Sequence, residues 1–241
     1  MIGLACFGTS LAAGAARALR SRTREVDGPF YAWRGRLATD DALLLCVEEA
    51  APEAAFVAVR LLAHRGARRV LALGEVEAAP LAVGRFSYSL GDIVLPRAVI
   101  DATALEPLLA YLPGNATGLP FPYDEKSLRL CGGIIGSPAT NPALATLRQP
   151  LRCPLLANML FEKHGIGFFD SYSSGAIDAA IDAKVSLYRF AFLTGSIRMP
   201  HEAPIPQFQR EKTVFEALEN FTGSLPEAKF STATELGRAA P

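Results

Sequence analysis

Three short stretches hold the residue types best suited to chemistry. The first is Gly8, Thr9 and Ser10, directly after the apolar run Met1–Phe7. Backbone amides and two hydroxyls at the start of a helix can take a phosphate or a sugar hydroxyl, and the same residues serve equally as a plain helix cap. The second is Phe168, Phe169, Asp170, Ser171, Tyr172 and Ser173. Two rings can stack on a heterocycle, an acid can move a proton, and hydroxyls can hold a polar ligand without stabilising positive charge. The bland alternative makes the phenylalanines core, Asp170 a helix cap and Tyr172 to Ser174 a polar helix start. The third is Ser196 and Arg198, at the end of LYRFAFLTGSIR. A guanidinium there suits an anionic group such as a carboxylate, or is one more exposed arginine. Glu48, Glu49 and Glu75 are spare acids, available for proton transfer or simply solvated.

Other chemistries find little support. His64, His164 and His201 are scattered, and no HExxH, phosphate-loop or zinc spacing occurs, so no metal and no cofactor is expected. Cys6, Cys46, Cys131 and Cys153 are far apart and read as reduced thiols in or near the core. Asp92, in GDIVLP, reads as a turn former. Lys plus Arg and Asp plus Glu are equal at 24 each, so no large field exists to attract nucleic acid or anionic lipid. The arginines near the N-terminus follow the apolar stretch, where an export signal carries charge ahead of it, and no run is long enough to span a membrane. A cytoplasmic protein that takes a small-molecule ligand is the expectation.

The elements that must position these residues alternate in type. With half of its 241 residues hydrophobic, the chain can bury roughly three quarters of its unfolded surface. Met1–Phe7 predicts a strand and Leu11–Arg20 a helix, with Thr9 and Ser10 as caps. Ala42–Val47 is a continuous apolar run fit for a strand buried on both faces, and Pro52–His64 has helical spacing, a proline at its first position and Gly66 as its stop. Arg69–Gly74 reads as another buried strand, Gly91–Pro96 as a turn feeding a strand, and the proline-rich Pro107–Pro122 as a surface loop. Ile134 and Ile135 suit a glycine-flanked strand. Pro138–Pro154 is punctuated by prolines, Ala176–Ala183 is helical, Leu187–Thr194 suits a central strand, and Arg210–Phe221 is an amphipathic helix. This order predicts one domain over residues 1–241, a three-layer α/β/α sandwich with a mixed, mainly parallel central sheet, and residues 224–241 as a peripheral tail.

Three stretches resemble the nucleoside phosphorylase and nucleosidase superfamily, the fold of purine and uridine phosphorylases and of methylthioadenosine nucleosidases. They are PEAAFVAVRLLAHRGARRVLALG with LGDIVLP, CGGIIGSP, and GIGFFDSYSSGAIDAA with FAFLTGS, within roughly residues 1 to 222. The resemblance implies cleavage of the N-glycosidic bond of a nucleoside-like small molecule, with the sugar passed to water or phosphate, by a homo-oligomer (dimer, trimer or hexamer). The chain departs from the family's acids. Gly8, Thr9 and Ser10 stand where a water-activating glutamate belongs, Tyr172 or Ser173 replaces the ribose-gripping glutamate, and Ile197 or Arg198 follows the retained Ser196 in place of an aspartate. Glu48 and Glu49 at the expected phosphate turn would repel a dianion, which favours hydrolysis over phosphorolysis.

The expected pocket lies at the strand ends. Asp170, Arg198 and Glu75 are its candidate catalytic groups, and Thr9, Ser10, Phe168, Phe169, Tyr172, Ser173 and Ser196 its candidate binding groups. A fold recruited to other small-molecule chemistry, or a catalytically silent relative that binds a ligand or a partner subunit, stands as the alternative.

Overall fold

A computed structural model describes residues 1–102, 119–120, 140–147, 150–197 and 205–219. The stretch CGGIIGSP with Ile134 and Ile135, most of Pro107–Pro122, Cys131, Arg198, His201 and the 224–241 tail lie outside them.

The chain opens with β1 (Ile2–Phe7), every residue of it buried, and turns directly into α1 (Thr9–Ala18). Thr9 and Ser10 are the first two helical residues and make no capping bond. The cap position belongs to Gly8, whose φ of 114° lets the chain turn without a Cβ penalty. The expected side-chain cap is therefore replaced by backbone geometry, and the two hydroxyls stay available.

The helix stops at Ala18, short of Arg20, because Arg20 begins a hairpin that the sequence reading missed: β2 (Arg20–Asp27) and β3 (Phe30–Leu37). Two strand-prone runs around Asp27 and Gly28 are a hairpin signal, masked here by the arginines that alternate through them. Next come β4 (Asp40–Val47) and α2 (Pro52–His64), where Pro52 occupies the first turn and Ala55, Ala58, Val59 and Leu62 form the buried face. Then follow β5 (Arg69–Ala78), α3 (Pro80–Phe86), β6 (Ile93–Val94), β7 (Ala98–Asp101), β8 (Leu119–Pro120) and β9 (Ala143–Thr146). The described chain continues with α4 (Pro154–His164), β10 (Ile166–Asp170), α5 (Ser173–Ala183), β11 (Ser186–Ser196) and α6 (Gln207–Glu219).

These strands form one mixed sheet in the order β2-β3-β4-β1-β5-β10-β9-β7-β8, with β11 beside β5 and β6 beside β11. Its centre is parallel: β1 lies between β4 and β5, and β11 runs along the whole of β5. The hairpin adds antiparallel strands at one side. β1 pairs with β5 over Arg69–Gly74, and β10 takes over that edge, antiparallel, at Glu77 and Ala78. Helices α2 and α5 cover one face through Ala55, Val59, Ala176 and Ile177. On the other face α1 and α6 pack through Leu11, Ala15, Val214 and Leu218, giving the three expected layers. Among the described residues, no helix is long and apolar enough to cross a membrane.

Candidate functional site

The parallel strands β1, β4 and β5 all end at the same side of the sheet, and there a cavity of about 430 Å³ opens. In open α/β sheets this carboxyl-end crevice is where ligands bind, because loops and helix starts converge there. Thr9 and Ser10 reach it from the first turn of α1, Glu48 from the end of β4, and Glu75 and Glu77 from the end of β5. Phe169, Asp170 and Tyr172 close it from β10 and the start of α5, with Leu147 and Leu151 beside them.

Of the candidate catalytic and binding groups, Thr9, Ser10, Glu75, Phe169, Asp170 and Tyr172 thus meet around one space. Others do not. Phe168 alternates to the opposite side of β10, is fully buried, and lies 5.5 Å from the Tyr88 ring, so it is core and no wall of the cavity. Ser173 is buried beneath the cavity, and Ser196, at the end of β11, does not line it. Arg198 lies outside the described residues. Glu49 faces a neighbouring groove with Glu53 and Asp178.

Below the cavity floor lies a buried charged network that the sequence reading did not find. Arg189, in mid-β11 and 1% exposed, donates from Nε to Ser173 Oγ at 2.8 Å and from Nη2 to Asp170 Oδ2 at 3.2 Å. It also donates to Tyr172 Oη and to the carbonyls of Ala72, Gly74 and Phe190. An arginine inside the apolar run LYRFAFLT was the available signal, since a guanidinium buried on both sides must find an acid.

That acid is Asp170, and its position corrects the reading of it as a catalytic group. Its Oδ1 accepts from Thr146 Oγ1 and the Tyr172 and Ser173 amides, and its Oδ2 accepts from Ser173 Oγ and Arg189. A carboxylate holding five hydrogen bonds, with its side chain 1% exposed, has no lone pair left for a substrate. It closes the first turn of α5, where a negative charge also suits the helix dipole.

Tyr172 connects this network to the cavity. Its ring stacks on Phe7 with centroids 4.1 Å apart, and its hydroxyl donates to the Glu75 carbonyl at 3.1 Å. Burial holds the phenol well above its usual range, although the Arg189 charge pulls the other way, so it stays a neutral donor. Gly74 makes room for it, since a Cβ there would overlap the Tyr172 hydroxyl and crowd Phe7 Cβ.

Two further carboxylates line the cavity from β5. Glu75 pairs with Arg210 of α6, and both side chains keep contact with water. Glu77 is half-buried, and that burial pushes its carboxyl above the ordinary range against the opposing pull of Arg152. Glu77 falls beyond the apolar run Arg69–Gly74, where the strand's signal in the sequence stops. Glu48, Glu75 and Glu77 face Arg152 and Arg210 around the cavity, a slight acid surplus that suits proton transfer and a developing positive charge more than it suits a bound dianion.

A mixed sheet in this order, three layers deep, with its cavity at the tips of the central parallel strands, is the fold of the nucleoside phosphorylases and nucleosidases. Solved structures of nucleosidases superpose on most of the chain. The 5'-methylthioadenosine/S-adenosylhomocysteine nucleosidase of Colwellia psychrerythraea, in complex with adenine, matches with a TM-score of 0.67 at 15% identity over 91% of this chain and 90% of its own. The corresponding Neisseria meningitidis enzyme, in complex with methylthio-immucillin-A, gives 0.66 at 10% identity over 91% and 94%. Futalosine hydrolase of Helicobacter pylori gives 0.66 at 8% identity over 91% and 93%. No protein-family model matches the chain, and neither does any curated protein.

Proposed function

We propose that this chain hydrolyses the N-glycosidic bond of a nucleoside-like small molecule, using acids placed on β5. The observation that carries the reading is the pair Glu75 and Glu77, two residues apart on one strand and both lining the tip cavity. A sugar that leaves its base passes through an oxocarbenium-like state, which nearby carboxylates stabilise. Glu75 serves as the base that takes a proton from the attacking water, and Arg210 holds its carboxylate in place. Thr9 and Ser10 supply neutral hydrogen bonds for the sugar. Water is favoured over phosphate as acceptor because three glutamates and two arginines around the cavity leave it short of positive charge. Assembly with copies of itself and residence in the cytoplasm belong to the same reading and rest on the resemblance.

The test is a panel of purine nucleosides incubated with the purified chain, with and without phosphate, followed by chromatography of the free base. Release that is independent of phosphate and falls about a hundredfold or more in Glu75→Gln is the expected result. A second reading, a silent relative that binds without turnover, draws on the full hydrogen-bonding of Asp170. No release from any nucleoside, together with a raised melting temperature on adding one, would establish it in place of hydrolysis.

A further inference from the structure

Phe169, Glu77 and Gly195 stand side by side across three strands. Phe169 of β10 is the register neighbour of Glu77 on one edge of β5, and Gly195 of β11 is its neighbour on the other. Directly opposed residues of adjacent strands project to the same face, so the Phe169 ring lies next to the Glu77 carboxyl. On the far side a Cβ built on Gly195 would meet nothing within 4 Å, which leaves open space there.

The cavity is also divided in character. Leu147 and Leu151 pack with Phe169 in one apolar cluster, whereas Thr9, Ser10 and the Glu75–Arg210 pair make the other end polar. A ligand with a flat apolar part and a hydroxylated part fits in one orientation, with Glu77 at the junction.

From this juxtaposition we infer that Glu77 is the general acid that protonates the leaving nitrogen of a planar N-heterocycle seated against Phe169. The inference rests on the hydrolytic reading above and deepens it. The C–N bond breaks with its electron pair going to nitrogen, and the Glu77 proton goes to the heterocycle. Water adds its oxygen to the sugar carbon and gives its surplus proton to Glu75. Proton exchange between the two carboxyls through solvent restores the starting state, so one water is consumed and one base and one sugar are released.

The carboxyl needs to keep a proton near neutral pH, and its partial burial acts in that direction. The charges facing it are Arg152, ahead of α4, which opposes that shift; Glu75 on the same strand, tied to Arg210 of α6; and Glu48 at the end of β4. Asp170 adds little, because Arg189 neutralises it.

The experiment follows base release from adenosine by the full chain between pH 5 and pH 9, read as kcat/KM, for wild type, Glu77→Gln and Glu77→Asp. A donated proton makes wild-type kcat/KM fall about tenfold per pH unit above the carboxyl's pKa. Glu77→Gln, which has no proton to transfer, is expected to lose about a hundredfold in rate together with that decline, and Glu77→Asp to keep the decline. Base release that Glu77→Gln retains in full, with the wild-type pH course, overturns the assignment and leaves hydrolysis standing. Absence of release by wild type at every pH overturns the hydrolytic reading itself.

Discussion

Asp170–Arg189 and Glu75–Arg210 are the same kind of pair, a carboxylate and a guanidinium, the first joining two strands of the sheet and the second joining β5 to helix α6. They differ in water. The first has both side chains 1% exposed and every lone pair of its carboxylate engaged; the second keeps 35% and 20% of its side chains exposed. A desolvated pair cannot lose one member without stranding the other, whereas a hydrated pair can open and exchange protons at little cost. The buried pair therefore builds the floor on which Tyr172 stands, and the hydrated one is the pair that the proposed reaction uses.

The comparison breaks most directly at the buried pair. Asp170→Asn or Arg189→Met is expected to lower unfolding free energy by about 3–5 kcal/mol in a urea titration. Glu75→Gln is expected to cost less than about 1 kcal/mol in the same measurement, because its partner stays hydrated. Equal losses from the two sites would erase the distinction. Replacing both buried members together, Asp170→Leu with Arg189→Met, sharpens it, since the double variant should be more stable than either single one.

A step down in size is Gly74→Ala. Its Cβ displaces the Tyr172 hydroxyl from Arg189, and about 1–3 kcal/mol of destabilisation follows from the forced shift. Tyr172→Phe in the Gly74→Ala background should recover part of that loss, and thermal melts read both.

The pH course of stability separates Glu77 from its neighbours. A carboxyl whose folded pKa lies above its unfolded value of about 4.5 favours the folded state below that value, and this contribution is lost as pH rises through the folded pKa. Glu77→Gln should remove that decline, so wild type minus variant stability falls with rising pH above about 4.5 and levels off once Glu77 is ionised. A difference that instead rises with pH would mean that Arg152, and not burial, sets this carboxyl.

Thr9→Ala is the smallest expected change. With no capping bond to lose, it should leave stability within about 0.5 kcal/mol while weakening ligand binding. A loss near 1 kcal/mol would return Thr9 to the role of helix cap.

Elements whose burial is uniform were readable from sequence. β1, β4 and α2 carry apolar runs and a proline in the first turn, and the structure places them where spacing predicts. Elements that mix burial with charge were not. The apolar run that announces β5 stops at Gly74, where Glu75 and Glu77 interrupt it, yet the strand continues through both acids to the edge of the cavity. Arg189 hid in the same way, inside a run that reads as apolar. The stretch Pro138–Pro154 contains β9, four residues that become a strand only by pairing with β7 and β10. Within the site, Thr9, Ser10 and Tyr172 were visible as residue types, but only the fold distinguishes Phe169, on the cavity, from Phe168, in the core.

Among the described residues the sheet ends at β2, and that border is poorly suited to being extended. Arg20 to Arg24 are exposed, the pairing with β3 slips between Arg20 and Thr23, and Ser21 adopts a φ of 50°. A second sheet approaching this rim would meet a kinked backbone studded with like charges, so the hairpin shields an otherwise adhesive row of amides and carbonyls from fibril-like stacking.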